Sequence, residues 1–402
     1  MTSPEIRGVD PRSTVVLTDV ELRDMIVSLR MWVKTEEFIG WDPYDALKSP
    51  LLRFLSFRSK LLSILWVQLL KSSPVNLRPL LGIEKAHNPK GQGLLLAAYL
   101  RLYRKEPAEE MLGIVDNLSS WLETNVVQGY AGACWGFNFD WPNRSFFAPA
   151  GTPTVVNTAV IAGAFLDGYE LLGRRRWLEI ARSACDFVMN DLNRHEDANG
   201  VCFSYTPLDH RRVHNANVLG AELLERVAKH TSEPALEGLA ERAVEFTVSR
   251  QRGDGSWVYG EDARDGWVDN YHTGMLLDAL ESYRKLSGVE GLDGPIQRGL
   301  DFYVRRLFLD GYIPKFTPAR TFPIDIHCVA QAILTLFRFQ HLDPSLEGRT
   351  LALVRWAQSN MLDAEGFFHY QVRRLYRIRT PYMRWGQAWM LRALAELNSA
   401  RI

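Results

Sequence analysis

Residues 251–286 read QRGDGSWVYGEDARDGWVDNYHTGMLLDALESYRKL, and two marks within this stretch recur along the chain. The first is Asp254-Gly255, a turn signal that follows a helical pattern and opens a short aromatic segment. Its counterparts are Asn199-Gly200, Asp310-Gly311 and Glu365-Gly366, evenly spaced on either side of it. Glycine suits the turn after a helix because a positive φ costs it little. The second mark is His272, which opens a helix rich in small and apolar residues. Asn157, Asn215, His272, His327 and Arg384 open matching helices at nearly the same step as the glycines. A sixth such helix, GQGLLLAAYLRLYRK, begins at Gly91. Small residues on several faces predict burial on most sides.

Between these inner helices lie amphipathic segments with a charged face, over 51–71, 108–125, 175–192, 234–252, 293–309 and 346–361. Inner and outer helices therefore alternate. A hairpin of about 56 residues cannot bury its apolar face alone, and six in series close into a ring. The expected fold is all-α, an (α/α)6 toroid of six helical hairpins with an extra N-terminal helix over 17–35. Residues 1–40 are expected to form an N-terminal extension and helix, and 41–402 a single toroid domain. The Pro/Gly-containing stretches at 73–90, 129–153 and 311–324 read as loops within the ring.

Composition agrees with a globular chain. Of 402 residues, 47% are hydrophobic and 23% charged, which excludes disordered and fibrous classes. Lys plus Arg and Asp plus Glu both number 47, so no global field attracts nucleic acid or an anionic membrane. Cys134, Cys185, Cys202 and Cys328 lie far apart, without the spacing of a disulfide framework or a zinc site. Neither a metal nor a cofactor is expected. Met1–Arg12 lacks the apolar core of a signal peptide. The longest apolar run, LLSILWVQLL at 61–70, is too short to span a bilayer. A cytoplasmic protein with no transmembrane segment is expected.

In such a ring the inner helices converge at one mouth, and chemistry is expected in the inlet loops and first helical turns there. Free N–H groups at those helix starts also favour anionic ligands. The longest inlet, 133–157, holds Trp135, Asn138, Asp140, Trp141, Arg144 and Asn157. Aromatic rings interleaved with Asn, Asp and Arg suit a sugar, the rings stacking on its face and the polar groups binding hydroxyls. A structural plug of Trp and Phe is the competing reading. The next inlet offers Tyr205 and Asn215, the latter also a plain N-cap candidate.

The following inlet offers Trp257, Asp269, Tyr271 and His272. Asp269 and His272 are three apart at a helix start, and a carboxylate beside an imidazole fixes its tautomer for acid/base work. An N-cap and a satisfied core histidine are the structural alternatives. Asp325 and His327 repeat the pair one hairpin later. The last inlet places Tyr382, Arg384, Trp385 and Gln387 at the mouth, with the Arg384 fork suited to a carboxylate or phosphate.

The alternation and the segment RWGQAWM, Arg384–Met390, resemble the six-hairpin glycosidase superfamily. That resemblance implies glycoside hydrolases, sugar 2-epimerases and polysaccharide lyases. The blocks WGFNFDWPNRSFF, GTPTVVNTA, GSWVYGEDARDGWVDNYHTG and IDIHCVAQ resemble VpsJ-like polysaccharide biosynthesis proteins of exopolysaccharide clusters, from about residue 41 onward. QRGDGSW, Gln251–Trp257, is similar to the repeat of terpene cyclases and prenyltransferase β-subunits, but no DxDD motif accompanies it.

The expected function is a carbohydrate-active enzyme of polysaccharide biosynthesis or modification, epimerase-, lyase- or hydrolase-like. It would act on a glycan or sugar nucleotide, in possible contact with polysaccharide-assembly enzymes. Asp140, Asp269 and Asp325 are the carboxylates for hydrolysis. His272 and His327, oriented by Asp269 and Asp325, are the base and acid for proton transfer, with Arg384 holding a uronate carboxylate. A non-catalytic glycan-binding or scaffold ring is the alternative, and prenyl chemistry a more distant one.

Overall fold

A computed structural model describes residues 17–143 and 147–399. Six helices form a closed inner ring: α4 (Pro89–Lys105), α6 (Val155–Leu172), α8 (His214–Thr231), α10 (Asn270–Ser287), α12 (Ile326–Arg338) and α14 (Ala388–Ser399). Each packs on the next, and α14 packs back on α4. Around them stand α5 (Glu109–Thr124), α7 (Arg175–Asn190), α9 (Pro234–Ser249), α11 (Asp293–Arg306) and α13 (Ser345–Met361). The architecture is the (α/α)6 toroid that the two periodic series predict.

The sixth outer position is filled by α1 (Asp19–Thr35), which packs on α14. Glu21 pairs with Arg355 of α13 on one side, and Lys34 with Glu110 of α5 on the other. The N-terminal helix is thus built into the ring, at the place that periodicity assigns to 51–71. That segment instead breaks into α2 (Pro50–Leu55) and α3 (Lys60–Ser72), which leave the outer ring. Together with 41–49 and 73–83 they form a cap, whose own small core holds Ala46, Leu52, Val67, Leu70 and Ile83.

Three of the four glycines in the series have a packing reason as well as a conformational one, whereas Gly311, with a φ of 80°, has the conformational one alone. Gly200, Gly255 and Gly366 have φ of 127°, 89° and 93°, in the left-handed region that side chains avoid. A methyl group there would also run into the backbone of Arg242, Arg298 or Ser28. Each clash lies on the next outer helix round the ring: α9, α11 and, for Gly366, α1. The repeated turn is therefore the joint between neighbouring hairpins. Gly200→Ala is expected to cost about 3 kcal/mol, because strain and backbone overlap add. Urea unfolding of the variant would show it, and an unchanged midpoint would overturn this account.

Short hairpins finish the mouth. β1 (Trp141–Pro142) pairs with β2 (Phe147–Ala148), β3 (Arg194–Asp197) with β4 (Gly200–Phe203), and β5 (Phe308–Leu309) with β6 (Ile313–Pro314). β7 (Ile324–Asp325), β8 (Gln371–Val372) and β9 (Arg377–Ile378) form one sheet. Its register, Asp325 opposite Gln371, ties the inlet of α12 to that of α14. α6 is long and apolar enough to cross a membrane, yet 72% of it is buried, as an inner helix of the ring must be.

Candidate functional site

The inner helices begin with N-caps that carry side chains inward. Asp269 caps α10, accepting the His272 backbone N–H at 2.9 Å. Its second oxygen meets His272 Nδ1 at 2.7 Å and accepts Trp267 Nε1–H at 3.0 Å. A cap residue and the third helical residue share a face, so one carboxylate serves both backbone and imidazole. The bond fixes the ring and leaves Nε2 for a ligand. The predicted Asp269–His272 pair is thus formed.

The second pair is built differently. Asp325 caps α12 and accepts the His327 backbone N–H at 2.9 Å, but it does not touch the imidazole. Its oxygens accept Gln371 Nε2–H at 2.6 Å and Trp385 Nε1–H at 2.8 Å. Burial pushes its carboxyl up, and these three donors oppose the shift. His327 is the second residue of its helix, not the third, so its ring points away from the cap. Asp325 therefore does not orient His327.

His327 is 1% exposed, and neither ring nitrogen has a hydrogen-bond partner among the described residues. Tyr271 and Trp389 stack on it, at ring separations of 4.7 and 4.8 Å, and Trp385 meets it edge-on at 4.6 Å. Burial holds its pKa well below the ordinary 6.5, and the Lys90, Arg384 and His272 charges lower it further. It is a neutral imidazole. Tyr271 lies between the two histidines, 4.0 Å from the His272 ring and 4.7 Å from that of His327.

The periodic series passes over Lys90, yet this residue completes the cluster. It is the second residue of α4, after the Asn88 cap and Pro89, and is 5% exposed. Its ammonium lies 5.6 Å from the Trp389 ring that also stacks on His327. Burial lowers its pKa from 10.5 to about 7, and neighbouring Arg384 contributes to the drop. A lysine so tuned is half neutral near pH 7 and fit to carry a proton. Its helix position is the available signal: Lys90, Asn215, Tyr271 and His327 are all second residues of inner helices.

Two asparagines add unspent polar groups. Both amide atoms of fully buried Asn157, and Oδ1 of Asn215, have no partner among the described residues. Buried polar atoms are rarely left so. Asn215 also lines a small cavity of about 10 Å3 with Tyr259, Asp269 and His272.

Several predicted residues have structural work instead. Arg384 gives its fork to Asp42 of the cap, at 2.5 and 2.8 Å, so it is not free to hold a substrate carboxylate. It lies 4.9 Å from the Phe137 ring and 5.1 Å from that of Trp385. Asp140 accepts Arg53 of the cap at 2.7 Å and the Ala150 N–H at 2.9 Å, which places it on the rim as a tether. Trp135 and Trp257 are core, their indole N–H groups donated to Leu122 and Thr247 carbonyls. Asn138 donates to the His87 carbonyl at 2.6 Å and holds the inlet of α4.

Gln387 spends both ends of its amide on the Phe368 backbone. Tyr382 is buried against Arg78 of the cap, 4.7 Å from its guanidinium. Trp385 supports Asp325 and reaches Tyr44 at 5.4 Å, on a π-helical turn, Met383–Gln387, that re-aims the chain into α14. Trp141 and Tyr205 meet at 5.5 Å and form an aromatic wall. Arg144 lies outside the described residues.

The lumen holds a second set of charges that sequence does not single out. Toward the C-terminal ends of the inner helices, a cavity of about 90 Å3 is lined by Asp167, Arg226, Asp278, Arg338 and Arg392. Burial raises the Asp278 carboxyl to about 6. Among the described residues no three His, Cys, Asp or Glu side chains gather as a metal site requires.

No protein-family model matches the chain, and no curated protein sequence matches it. Solved structures do resemble it in fold. A cellobiose 2-epimerase from Spirochaeta thermophila is 14% identical, with a TM-score of 0.62 over 78% of this chain and 85% of that one. A sugar epimerase from a ruminal bacterium is 12% identical, at 0.61 over 80% and 90%. An unsaturated glucuronyl hydrolase from Streptococcus agalactiae is 11% identical, at 0.60 over 99% and 98%.

Proposed function

We propose that this chain is a carbohydrate-active enzyme that removes and returns a proton at a sugar carbon, in the manner of an epimerase or lyase. The observation that carries the reading is the pairing of two unlike histidines at one mouth. His272 is oriented by Asp269 at 2.7 Å, and His327 is neutral, buried and without hydrogen-bond partners among the described residues. Proton abstraction and return need two such groups, one held in a fixed orientation and one free to accept or donate. Lys90, at a pKa of about 7, is a third proton carrier beside them. Two-carboxylate hydrolysis fits less well. Asp140 is tied to Arg53 on the rim, while Asp269 and Asp325 are each saturated by donors.

The aromatic wall of Trp141 and Tyr205 supports a glycan or sugar-nucleotide substrate. Solved epimerases that share the fold support a sugar in the same ring. The resemblance to VpsJ-like proteins supports a role in exopolysaccharide assembly, in the cytoplasm and beside other assembly enzymes. Net charge zero favours no nucleic-acid partner.

The test is incubation of the protein with neutral aldoses, uronates, oligosaccharides and sugar nucleotides in D2O, followed by NMR. Deuterium entering at one sugar carbon, with or without a change in configuration, is the expected outcome. Binding without any deuterium wash-in across the panel would reduce the ring to a glycan-binding module.

A further inference from the structure

The cap turns an apolar face to solvent. Leu61, Leu65 and Leu69 follow at intervals of four along α3 and form one ridge, while the opposite ridge of Ser63, Val67 and Leu70 is buried. Phe54 and Phe57 extend the ridge and touch each other at 6.0 Å. Phe57 is 70% exposed on a turn where it and Arg58 both hold positive φ, 46° and 58°. Of the 17 large apolar side chains exposed among the described residues, nine lie between Leu51 and Leu80. An apolar patch so concentrated marks an interaction surface.

Charge says what covers it. From Trp41 to Ile83 the cap has six basic residues against two acidic ones, Asp42 and Asp45, although the whole chain is neutral. Asp42 is spent on Arg384 and Asp45 on Arg78, while Asp140 outside the cap holds Arg53. Two copies of this face would bring like charges together. An anionic lipid surface satisfies both the leucine ridge and the basic flank.

The cap sits over the mouth. It is held there by Arg53 on Asp140, by Asp42 on Arg384, and by Ser72 beneath Arg373 and Tyr376. Leu208 and Leu375 of neighbouring inlets are exposed on the same rim.

The geometry points to α2–α3 as a surface that docks on an anionic bilayer. Phe54, Phe57, Leu61, Leu65 and Leu69 enter the acyl boundary, and Arg58 meets lipid phosphates. This assignment stands independently of the proton-transfer reading. The docked protein lies in the interface plane with its mouth toward the lipid, and none of the described helices crosses.

The test is co-sedimentation of the full chain with vesicles of phosphatidylcholine alone, or mixed with phosphatidylglycerol. Binding to the mixed vesicles is expected, at least about tenfold weaker on phosphatidylcholine or at high salt. The combined variant Phe57→Ser, Leu61→Ser, Leu65→Ser, and separately Arg58→Glu, should each lose at least about tenfold. Both leave the cap core untouched, and an unchanged circular-dichroism melt would verify that. Absence of wild-type binding, or equal binding by the serine variant, would overturn the assignment. So would a dimer in light scattering that the serine variant dissociates, with vesicles unbound, since the face would then belong to a second copy.

Discussion

Lys90→Met is expected to raise the unfolding free energy at pH 7 by roughly 3 to 5 kcal/mol, while abolishing turnover. The amine sits in the ring mouth with its pKa lowered from 10.5 to about 7, first by burial and then by Arg384. Each tenfold loss of proton affinity is about 1.4 kcal/mol, so the drop measures how much worse the folded protein holds the proton than the unfolded chain does. The direction with pH follows. Above about 10.5 neither state carries the proton, and below about 7 both do. Between these limits only the unfolded chain is protonated, so the Lys90 contribution to stability falls as pH drops from 10.5 to about 7. Methionine fills the same slender volume with no charge to desolvate. Urea unfolding at pH 7 and pH 9 is the measurement. The wild type should gain stability between them relative to the variant, and parallel curves would show that Lys90 is not held at a lowered pKa. A residue retained at such a cost is a mark of function.

His272→Ala should slow deuterium wash-in by about 10^2- to 10^4-fold, the usual worth of a positioned acid or base. His327→Phe should do the same without loss of stability, because a phenyl ring can keep the stacks on Tyr271 and Trp389 but has no nitrogen. Asp269→Asn separates orientation from capping. Asparagine caps a helix as well as aspartate does, so the melting temperature should hold while exchange falls. Full exchange in both histidine variants would sink the proton-transfer mechanism. Lost exchange together with lost stability in Asp269→Asn would mean that the residue is only a cap.

The ring is legible in the sequence because its joints repeat. Gly200, Gly255 and Gly366 each do one steric job at one place in the hairpin, and selection for that job writes a period into the chain. α1 reads as an addition for the opposite reason. Its Glu21 pairs with Arg355, 334 residues away, and its Trp32 packs on Phe367 from the same far end, so no local pattern reports either contact. The apolar period of 51–71 is real but belongs to a cap, which a period cannot distinguish from an outer helix.

At the site, Asp269 and His272 are readable because cap and third residue share a face. Asp325 and His327 differ by one position, and about 100° of helix turns the imidazole elsewhere. Arg384 looks free in sequence because Asp42, its partner, is 342 residues away. Lys90 escapes because the long 133–157 loop stretches its step to Asn157 well beyond the step that the other inner helices share.

The sixth hairpin joins α1 to α14, elements at opposite ends of the described chain. Five hairpins can assemble as the ribosome delivers them, each on its predecessor, but they make only an open arc. Until residues 388–399 emerge, α4 and α12 flank an empty seat, and the apolar flanks of both stay wet. The arc then closes with a single element, through contacts that reach back to α1 and α4. A nascent chain stalled before α14 should therefore present a chaperone with a sticky groove, and docking of α14 should withdraw it.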